Sequence, residues 1–383
     1  MSQKQIIQSY MMGGFECCDM INRYGARVDL LSDSNHISHL YENYLRLKDI
    51  GITTVREGIR WSVVEKNPNE FDWSEFNLMV KRGKELGIQQ IWDICHFGMP
   101  NDLSPLHPQF LNRFVNICVA FLQQYRSIIP TGQLIVTPIN EVSFFSWLGG
   151  EVGCTTPYTK GCGWDVKYAL TKAYIAAIKA MRAIDEEILI LTTEPLVDVL
   201  PPQIADLNKL KEAADAHELQ YQVTDMLLGR ICPELGGSND LVDIIGYNFY
   251  YCNRYSIEPY EVISWTNEHN DYRFRPLSII LEEGYNRYLK PIILAETSHS
   301  EEDRAAWFQQ IISETSIIHQ KEIPLLGICW YPVLDRPDWD ETDNWHKSGI
   351  WNNQNGSGVE QALVHFPLID IYQRFQEEAA LSY

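Results

Sequence analysis

The chain has 383 residues, of which 45% are hydrophobic and 21% are charged, as in an ordinary globular protein. Its formal net charge is −20, and this excess of acidic groups disfavours binding to nucleic acid and to anionic lipid. No apolar run is long enough to span a membrane, and residues 1–5 contain no apolar signal region. We therefore expect a cytoplasmic protein with neither a nucleic-acid nor a membrane partner, and its oligomeric state stays open.

Runs of apolar, β-prone residues alternate along the chain with amphipathic segments. The predicted strands lie near residues 8–15, 52–57, 88–95, 134–140, 187–193, 242–249, 291–296 and 324–330. The predicted helices lie near residues 36–49, 74–86, 110–125, 165–184, 204–229, 273–289, 301–319 and 359–377. Such strand–helix units favour a parallel sheet that is covered by helices and closed as a (β/α)8 TIM barrel. Residues 1–383 are expected to form one catalytic domain of this kind.

Neither a cofactor nor a metal is expected. A dinucleotide fold needs a Gly-rich loop that opens a helix after the first strand, whereas Gly13-Gly14 here is followed by Phe15 and Glu16. A metal-dependent barrel hydrolase typically needs a His-x-His pair on the first strand, and this strand has no histidine.

The nine cysteines are mostly scattered and often lie in apolar runs, so reduced core residues are favoured over a disulfide framework. Cys154 and Cys162 flank a loop and are the one pair considered for a bridge. Two free thiols are the favoured interpretation.

The residues at the ends of the predicted strands carry the functional signal, because parallel barrels build their active sites at the C-terminal strand ends. Strands four and seven end in glutamates, Glu141 and Glu296. Two carboxyl groups at one face are what glycoside hydrolysis needs. Other strand ends supply polar or aromatic groups able to hold sugar hydroxyls or sugar faces. These are Glu16, Arg56, His96, Asn140, Tyr250 and Trp330.

This ordered set resembles the clan A glycoside hydrolases, the retaining (β/α)8 enzymes with catalytic glutamates after strands four and seven. Family 1, the β-glucosidase-like enzymes, is the most similar. The matching features are Arg56 followed by Trp61-Ser62, His96 with a turn ending at Pro100, residues 246–250, and Trp330 with the later pair Asp338-Trp339. The likeness runs in order over nearly the whole chain.

The chain also departs from the family pattern. Val142 follows Glu141 where the family usually has proline, and Thr297-Ser298 follow Glu296 in place of Asn-Gly. The first strand has no clear counterpart of the family's sugar-binding glutamine, and Glu16 is the candidate for that role. The chain is also shorter than most family members.

The resemblance implies a retaining hydrolase of β-glycosidic bonds, with a glycoside or oligosaccharide as its substrate. Glu141 would be the acid/base and Glu296 the nucleophile. Arg56 and Tyr250 would keep Glu296 ionised. The remaining substrate-binding candidates are Glu16, His96, Asn140, Asp338, Trp339 and Trp330, with Trp330 expected as the floor of the sugar pocket.

Several alternatives remain open at this stage. A catalytically inactive, sugar-binding barrel and a transglycosylase are the two alternative functions left open. In isolation, Arg56 is equally compatible with a structural ion pair to Glu57 or Glu194. The sugar, the linkage and the exo or endo mode are undetermined. A phosphorylated sugar is also open, because three basic residues follow strand eight, namely Arg336, His346 and Lys347.

Overall fold

The computed structural model describes residues 6–266 and 271–353, together with 367, 369–371 and 373–374. Eight parallel strands close into a barrel in which each strand pairs with its neighbours along the chain and β1 pairs with β8. They are β1 Met11–Gly14, β2 Thr54–Gly58, β3 Gln89–Cys95, β4 Ile135–Ile139, β5 Leu189–Pro195, β6 Ile244–Asn248, β7 Ile292–Thr297 and β8 Leu325–Trp330. The predicted (β/α)8 fold and all eight predicted strands are confirmed.

The main helices follow the strands in turn and surround the barrel. They are α1 Leu40–Asp49, α2 Ser74–Leu86, α3 Phe110–Ile128, α4 Gly163–Arg182, α5 Leu207–Glu218, α6 Leu277–Tyr288 and α7 Arg304–Gln320. The predicted helix at 204–229 is interrupted, because α5 gives way to a 3-10 turn and then to the short helix Gln222–Leu227. The predicted helix at 359–377 lies largely outside the described residues.

The strands are buried on both faces, which explains their nearly continuous apolar sequences. Alternate side chains enter either the inside of the barrel or the layer between strands and helices. The inner cluster is lined by Met12, Ile91, Ile135, Leu191, Ile244, Ile293, Ala295, Cys329 and Tyr331. Helix α3 packs onto the outer layer through the predicted apolar face, on which Phe114, Ile117 and Phe121 are fully buried.

Short elements decorate the loops that follow the C-terminal strand ends. After β4 comes the helix Val142–Ser146, continued by a π-helical turn at Trp147–Glu151. The loops after β5 and β6 supply a small three-stranded sheet made of Asp198–Leu200, Arg254–Ile257 and Tyr260–Val262. These elements are too short to produce a periodic sequence pattern, and they concentrate at the face where barrels carry their sites.

The cysteines and the helix lengths bear on two further expectations. All nine cysteines are free thiols, Cys154 and Cys162 included. Among the described residues, no helix combines the length and the apolar character needed to cross a membrane.

Candidate active site

Glu296, at the C-terminal end of β7, accepts a donor on each carboxylate oxygen. An Arg56 terminal nitrogen lies 2.8 Å from Oε1, and the Tyr250 hydroxyl donates to Oε2 at 2.7 Å. Only 4% of Glu296 is exposed. Glu296 is therefore a buried carboxylate with one guanidinium donor and one hydroxyl donor.

Arg56 links Glu296 to β3 and to the end of β4 from inside the barrel. Its second terminal nitrogen lies 2.6 Å from Asp93 Oδ2 and 3.3 Å from Asn140 Oδ1. Burial acts to lower the pKa of Arg56, but the charges of Asp93 and Glu296 outweigh it and raise the pKa well above its usual value. A permanently charged guanidinium therefore sits beside the carboxylate of Glu296.

The alternative partners considered for Arg56 are both engaged elsewhere. Glu57 points to the outside of the barrel, where its Oε1 accepts from the Tyr44 hydroxyl at 2.6 Å and lies 3.0 Å from a His36 ring nitrogen. Glu194 accepts from backbone N–H groups. The alternative prediction that Arg56 pairs with Glu57 or Glu194 is therefore wrong.

Glu141 follows β4 in a left-handed backbone conformation, with φ 46°. Its Oε1 accepts a hydrogen bond of 2.9 Å from the side-chain amide of Asn248. Burial, and next the negative charge of Glu296, raise the pKa of Glu141 well above its usual range. Glu141 therefore holds a proton more readily than an ordinary carboxyl group does.

A polar arc continues from Asn140 towards β1. The Asn140 amide nitrogen lies 3.2 Å from His96 Nε2, and Glu16 Oε1 lies 3.5 Å from the same ring nitrogen. His96 Nδ1 lies 3.0 Å from Asp93 Oδ2. Burial lowers the pKa of His96, but the hydrogen bond to Asp93 and the charge of Glu16 raise it by more. The arc offers both donors and acceptors to a polyhydroxylated ligand.

Trp339 lies at the edge of this arc. Its ring packs edge-on against Phe97, the residue after His96, with the centroids 5.7 Å apart. The Arg336 guanidinium lies 5.4 Å from the Trp339 ring centroid, and its Nε is 3.3 Å from Glu16 Oε2. Arg336 therefore connects Glu16, two residues after β1, to the aromatic loop after β8.

The prediction that Trp330 forms the pocket floor is wrong. Trp330 is fully buried in the outer layer, edge-on to Phe308 of α7 at 5.6 Å. The next residue, Tyr331, is the one that faces the site. Its ring lies parallel to that of His96 at 5.7 Å and 5.2 Å from the Arg56 guanidinium carbon. Because successive side chains point to opposite faces of a strand, only one of the two neighbours can enter the barrel.

Asp338 is also placed differently from expectation. Its Oδ1 accepts from the N–H groups of Asp340 and Glu341, and its Oδ2 lies 2.7 Å from a His346 ring nitrogen. Partial burial raises the pKa of Asp338, but these hydrogen bonds outweigh it and lower the pKa to about 2. Within the described part of the chain, Asp338 organises its own loop and makes no contact with the residues around Glu296.

The three basic residues after β8 do not converge into a phosphate site. They lie within 4.0 Å of three different carboxylates, those of Glu16, Asp338 and Glu301. Each of these basic side chains therefore already has a local carboxylate partner.

One cluster at the C-terminal ends of β1 and β3 resembles a set of metal ligands. Cys17, Asp93 and His96 offer atoms that all lie within 4.8 Å of one another. However, Asp93 Oδ2 already accepts from both Arg56 and His96, and burial raises the pKa of the Cys17 thiol well above its usual value. A protonated thiol beside a guanidinium does not fit a cation, because metal ligands must be deprotonated.

Sequence reasoning gave no role in the site to Asp93, Asn248 and Tyr331, and it considered Glu194 only as an ion-pair partner of Arg56. Strand alternation was the available signal for two of them, since Asp93 and Tyr331 lie two residues after Ile91 and Cys329 of the inner cluster. The role of Asn248 depends on its contact with Glu141, 107 residues away in the chain, and no local pattern reports that contact.

Comparisons with known proteins agree with the barrel. No protein-family model matches the chain, and no curated protein sequence matches it. Among solved structures, the family 1 β-glucosidase from Thermotoga maritima is similar with a TM-score of 0.72 and 15% identity, over 90% of this chain and 87% of that one. The same enzyme in complex with glucoimidazole gives a TM-score of 0.76 at 13% identity, over 98% and 99% of the two chains.

A β-glycosidase from Pyrococcus horikoshii is similar as well, with a TM-score of 0.72 and 16% identity, over 89% of this chain and 84% of that one. The chain therefore has the fold of the family 1 β-glucosidases.

Proposed function

We propose that the protein is a retaining β-glycoside hydrolase in which Glu141 is the acid/base and Glu296 is the nucleophile. The observation that carries this proposal is the unequal environment of the two carboxyl groups. Glu296 faces the Arg56 guanidinium and the Tyr250 hydroxyl, whereas the pKa of Glu141 is raised by burial and by the charge of Glu296. One carboxylate and one carboxylic acid at the same barrel end are what the double-displacement reaction needs.

In the first step, Glu296 attacks the anomeric carbon while Glu141 gives its proton to the glycosidic oxygen, and the leaving group departs as an alcohol. In the second step, the Glu141 carboxylate takes a proton from water. That water attacks the glycosyl-enzyme and releases Glu296. Two inversions at one carbon retain the anomeric configuration.

The same electrostatic contact makes Glu141 change roles between the two steps. While Glu296 is charged, it raises the pKa of Glu141 and keeps the proton in place. Once Glu296 is esterified by the sugar, that charge is gone, and the pKa of Glu141 falls. The group that was an acid is then ready to act as a base.

The sugar ring is proposed to bind along the polar arc. Asn140 would hold the hydroxyl next to the anomeric carbon, and His96 and Glu16 would hold hydroxyls further along the ring. Tyr331 offers the aromatic face that was expected from Trp330, and Trp339 borders the mouth. The arc lies within the hydrogen-bonded network that also holds Arg56 and Glu296.

The test is hydrolysis of a panel of 4-nitrophenyl β-glycosides, followed by proton NMR of the first anomer released. We expect turnover with the β-anomer formed first, and inhibition by glucoimidazole, with which the Thermotoga maritima β-glucosidase has been solved. An α-anomer as first product would refute the retaining mechanism. Binding of glucoimidazole without turnover would favour the sugar-binding barrel, and transfer to added sugars as the main product would favour the transglycosylase.

A further inference from the structure

Glu194, at the end of β5, is a buried carboxylate that the proposed reaction does not use. It is 3% exposed. Its two oxygens accept from two successive backbone N–H groups, those of Val142 at 2.8 Å and Ser143 at 3.0 Å. These are the two residues that follow Glu141. Glu194 thus binds the chain immediately after the proposed acid.

The residue before Glu194 binds the chain on the other side. The backbone carbonyl of Thr193 accepts from the N–H of Glu141 at 2.8 Å. Two consecutive residues of β5 therefore hold the backbone both at Glu141 and just after it. These hydrogen bonds hold Glu141 at φ 46°, a left-handed conformation that costs energy for a residue other than glycine.

From this geometry we infer that Glu194 is a positioning residue that fixes the backbone of Glu141 and so aims its carboxyl group at the glycosidic oxygen. This inference deepens the proposed function and rests on it. Glu194 does not touch the substrate in this account. It acts through the peptide groups of residues 142 and 143, which makes it distinct from the sugar-binding residues of the arc.

The charges around the two carboxyl groups give the inference a pH signature. Glu141 is surrounded by Glu296 from β7, which raises its pKa, and by Asn248 and Arg56, which lower it. The charge of Glu194 is a further cause that raises the pKa of Glu141. Tyr250 and Cys252 are also close enough for the charge of Glu141 to raise their pKa values.

Glu194 titrates in its own environment between β5 and α4. Burial raises its pKa to about 7, against the opposing effects of the Ser143 and Val142 donors and of the positive charge of Lys167. Tyr174 of α4 faces the same carboxylate. Glu194 therefore carries its negative charge above about pH 7, and in that range it opposes loss of the Glu141 proton.

The test compares wild type, Glu194→Gln and the control Glu187→Gln, which removes an exposed carboxylate from the loop before the same strand. Because a misplaced acid matters only when the leaving group needs a proton, Glu194→Gln should lose about tenfold or more in kcat/KM for poor aryl leaving groups and keep most of it for good ones. The alkaline limb of the pH profile of kcat/KM, which reports loss of the acid's proton, should move to lower pH by about half a unit. The control should match wild type.

A double-variant cycle separates positioning from general damage. In a Glu141→Ala background, Glu194→Gln should cause no further loss, because the group it positions is gone. Equal losses for all leaving groups, or losses that add to those of Glu141→Ala, would overturn the inference. If Glu194→Gln folds poorly, Glu194→Asp takes its place, because it keeps the charge on a shorter side chain. Glu194→Asp should leave the alkaline limb of the pH profile where it is in wild type and should lose part of kcat/KM.

A carbon NMR titration of the Glu141 carboxyl makes the test independent of turnover. Glu194→Gln should lower the pKa of Glu141 by about half a unit, and an unchanged value would overturn the inference. If wild type hydrolyses no glycoside, the proposed function fails, and the titration still decides whether Glu194 controls Glu141.

Discussion

Replacing Arg56 with methionine is the most informative single change, because Arg56 neutralises two buried carboxylates. Its terminal nitrogens lie 2.8 Å from Glu296 and 2.6 Å from Asp93. The variant keeps the length of the side chain and removes its charge. Glu296 would retain only the hydroxyl of Tyr250, and Asp93 would retain His96.

The expected size follows from the geometry. Two unit charges about 4 Å apart at an effective dielectric constant of about 20 attract by about 4 kcal/mol, which corresponds to an upper limit of about three pH units. Water entry and the Tyr250 hydroxyl reduce the effect, so the acidic limb of kcat/KM should move up by on the order of one pH unit. Breaking a buried ion pair should also cost about 3–5 kcal/mol of unfolding free energy.

The assay is the pH profile of kcat/KM with the best aryl β-glycoside, together with urea unfolding. Arg60→Met is the matched control, since Arg60 is also buried and ion-paired but contacts Asp29 and Glu75 away from the site. It should lose stability without moving the acidic limb. An unmoved acidic limb in a folded Arg56→Met protein would refute the electrostatic role and leave Arg56 as a structural ion pair.

Three further predictions rest on single contacts. Tyr250→Phe should lower kcat/KM by about tenfold or more with little change in stability, measured by aryl-glycoside kinetics, because one hydrogen bond to a charged group contributes about 1.5–3 kcal/mol. Trp330→Phe should lower the unfolding midpoint in urea and leave KM unchanged, whereas Tyr331→Ala should raise KM, and the reverse pattern would restore Trp330 as the pocket floor. Burial raises the pKa of Glu194 from 4.5 to about 7, so Glu194 contributes less to the free energy of unfolding as pH rises between those values. The free energy of unfolding of Glu194→Gln minus that of wild type, measured by urea titration, should therefore rise by about 3 kcal/mol from pH 4.5 to pH 7.

The sequence was sufficient to predict the barrel, because each strand is an apolar run buried on both faces and most helices carry one apolar stripe. It was also sufficient to predict that Arg56 and Glu296 meet, since parallel strands bring their C-terminal parts to one face. The helix α2 has the predicted bounds, Ser74–Leu86. These features are local, and local patterns report them.

The errors arose where tertiary contacts decide. Trp330 matched a family position by residue type, but the strand register turns it outward and brings Tyr331 inward. Asp338 also matched by type, yet the N–H groups of its own loop capture its carboxylate. The part played by Glu194 depends on a contact across 52 residues of chain, which no periodicity encodes.

The central claim is that Glu296 forms a covalent bond to the sugar. The most direct measurement is mass spectrometry of the enzyme after incubation with a 2-deoxy-2-fluoro β-glycoside that carries a good leaving group. The account predicts a mass gain of one fluoroglycosyl unit, located on the peptide containing Glu296 and absent from Glu296→Gln. A label on Glu141, or turnover with inverted product and no covalent species, would contradict it.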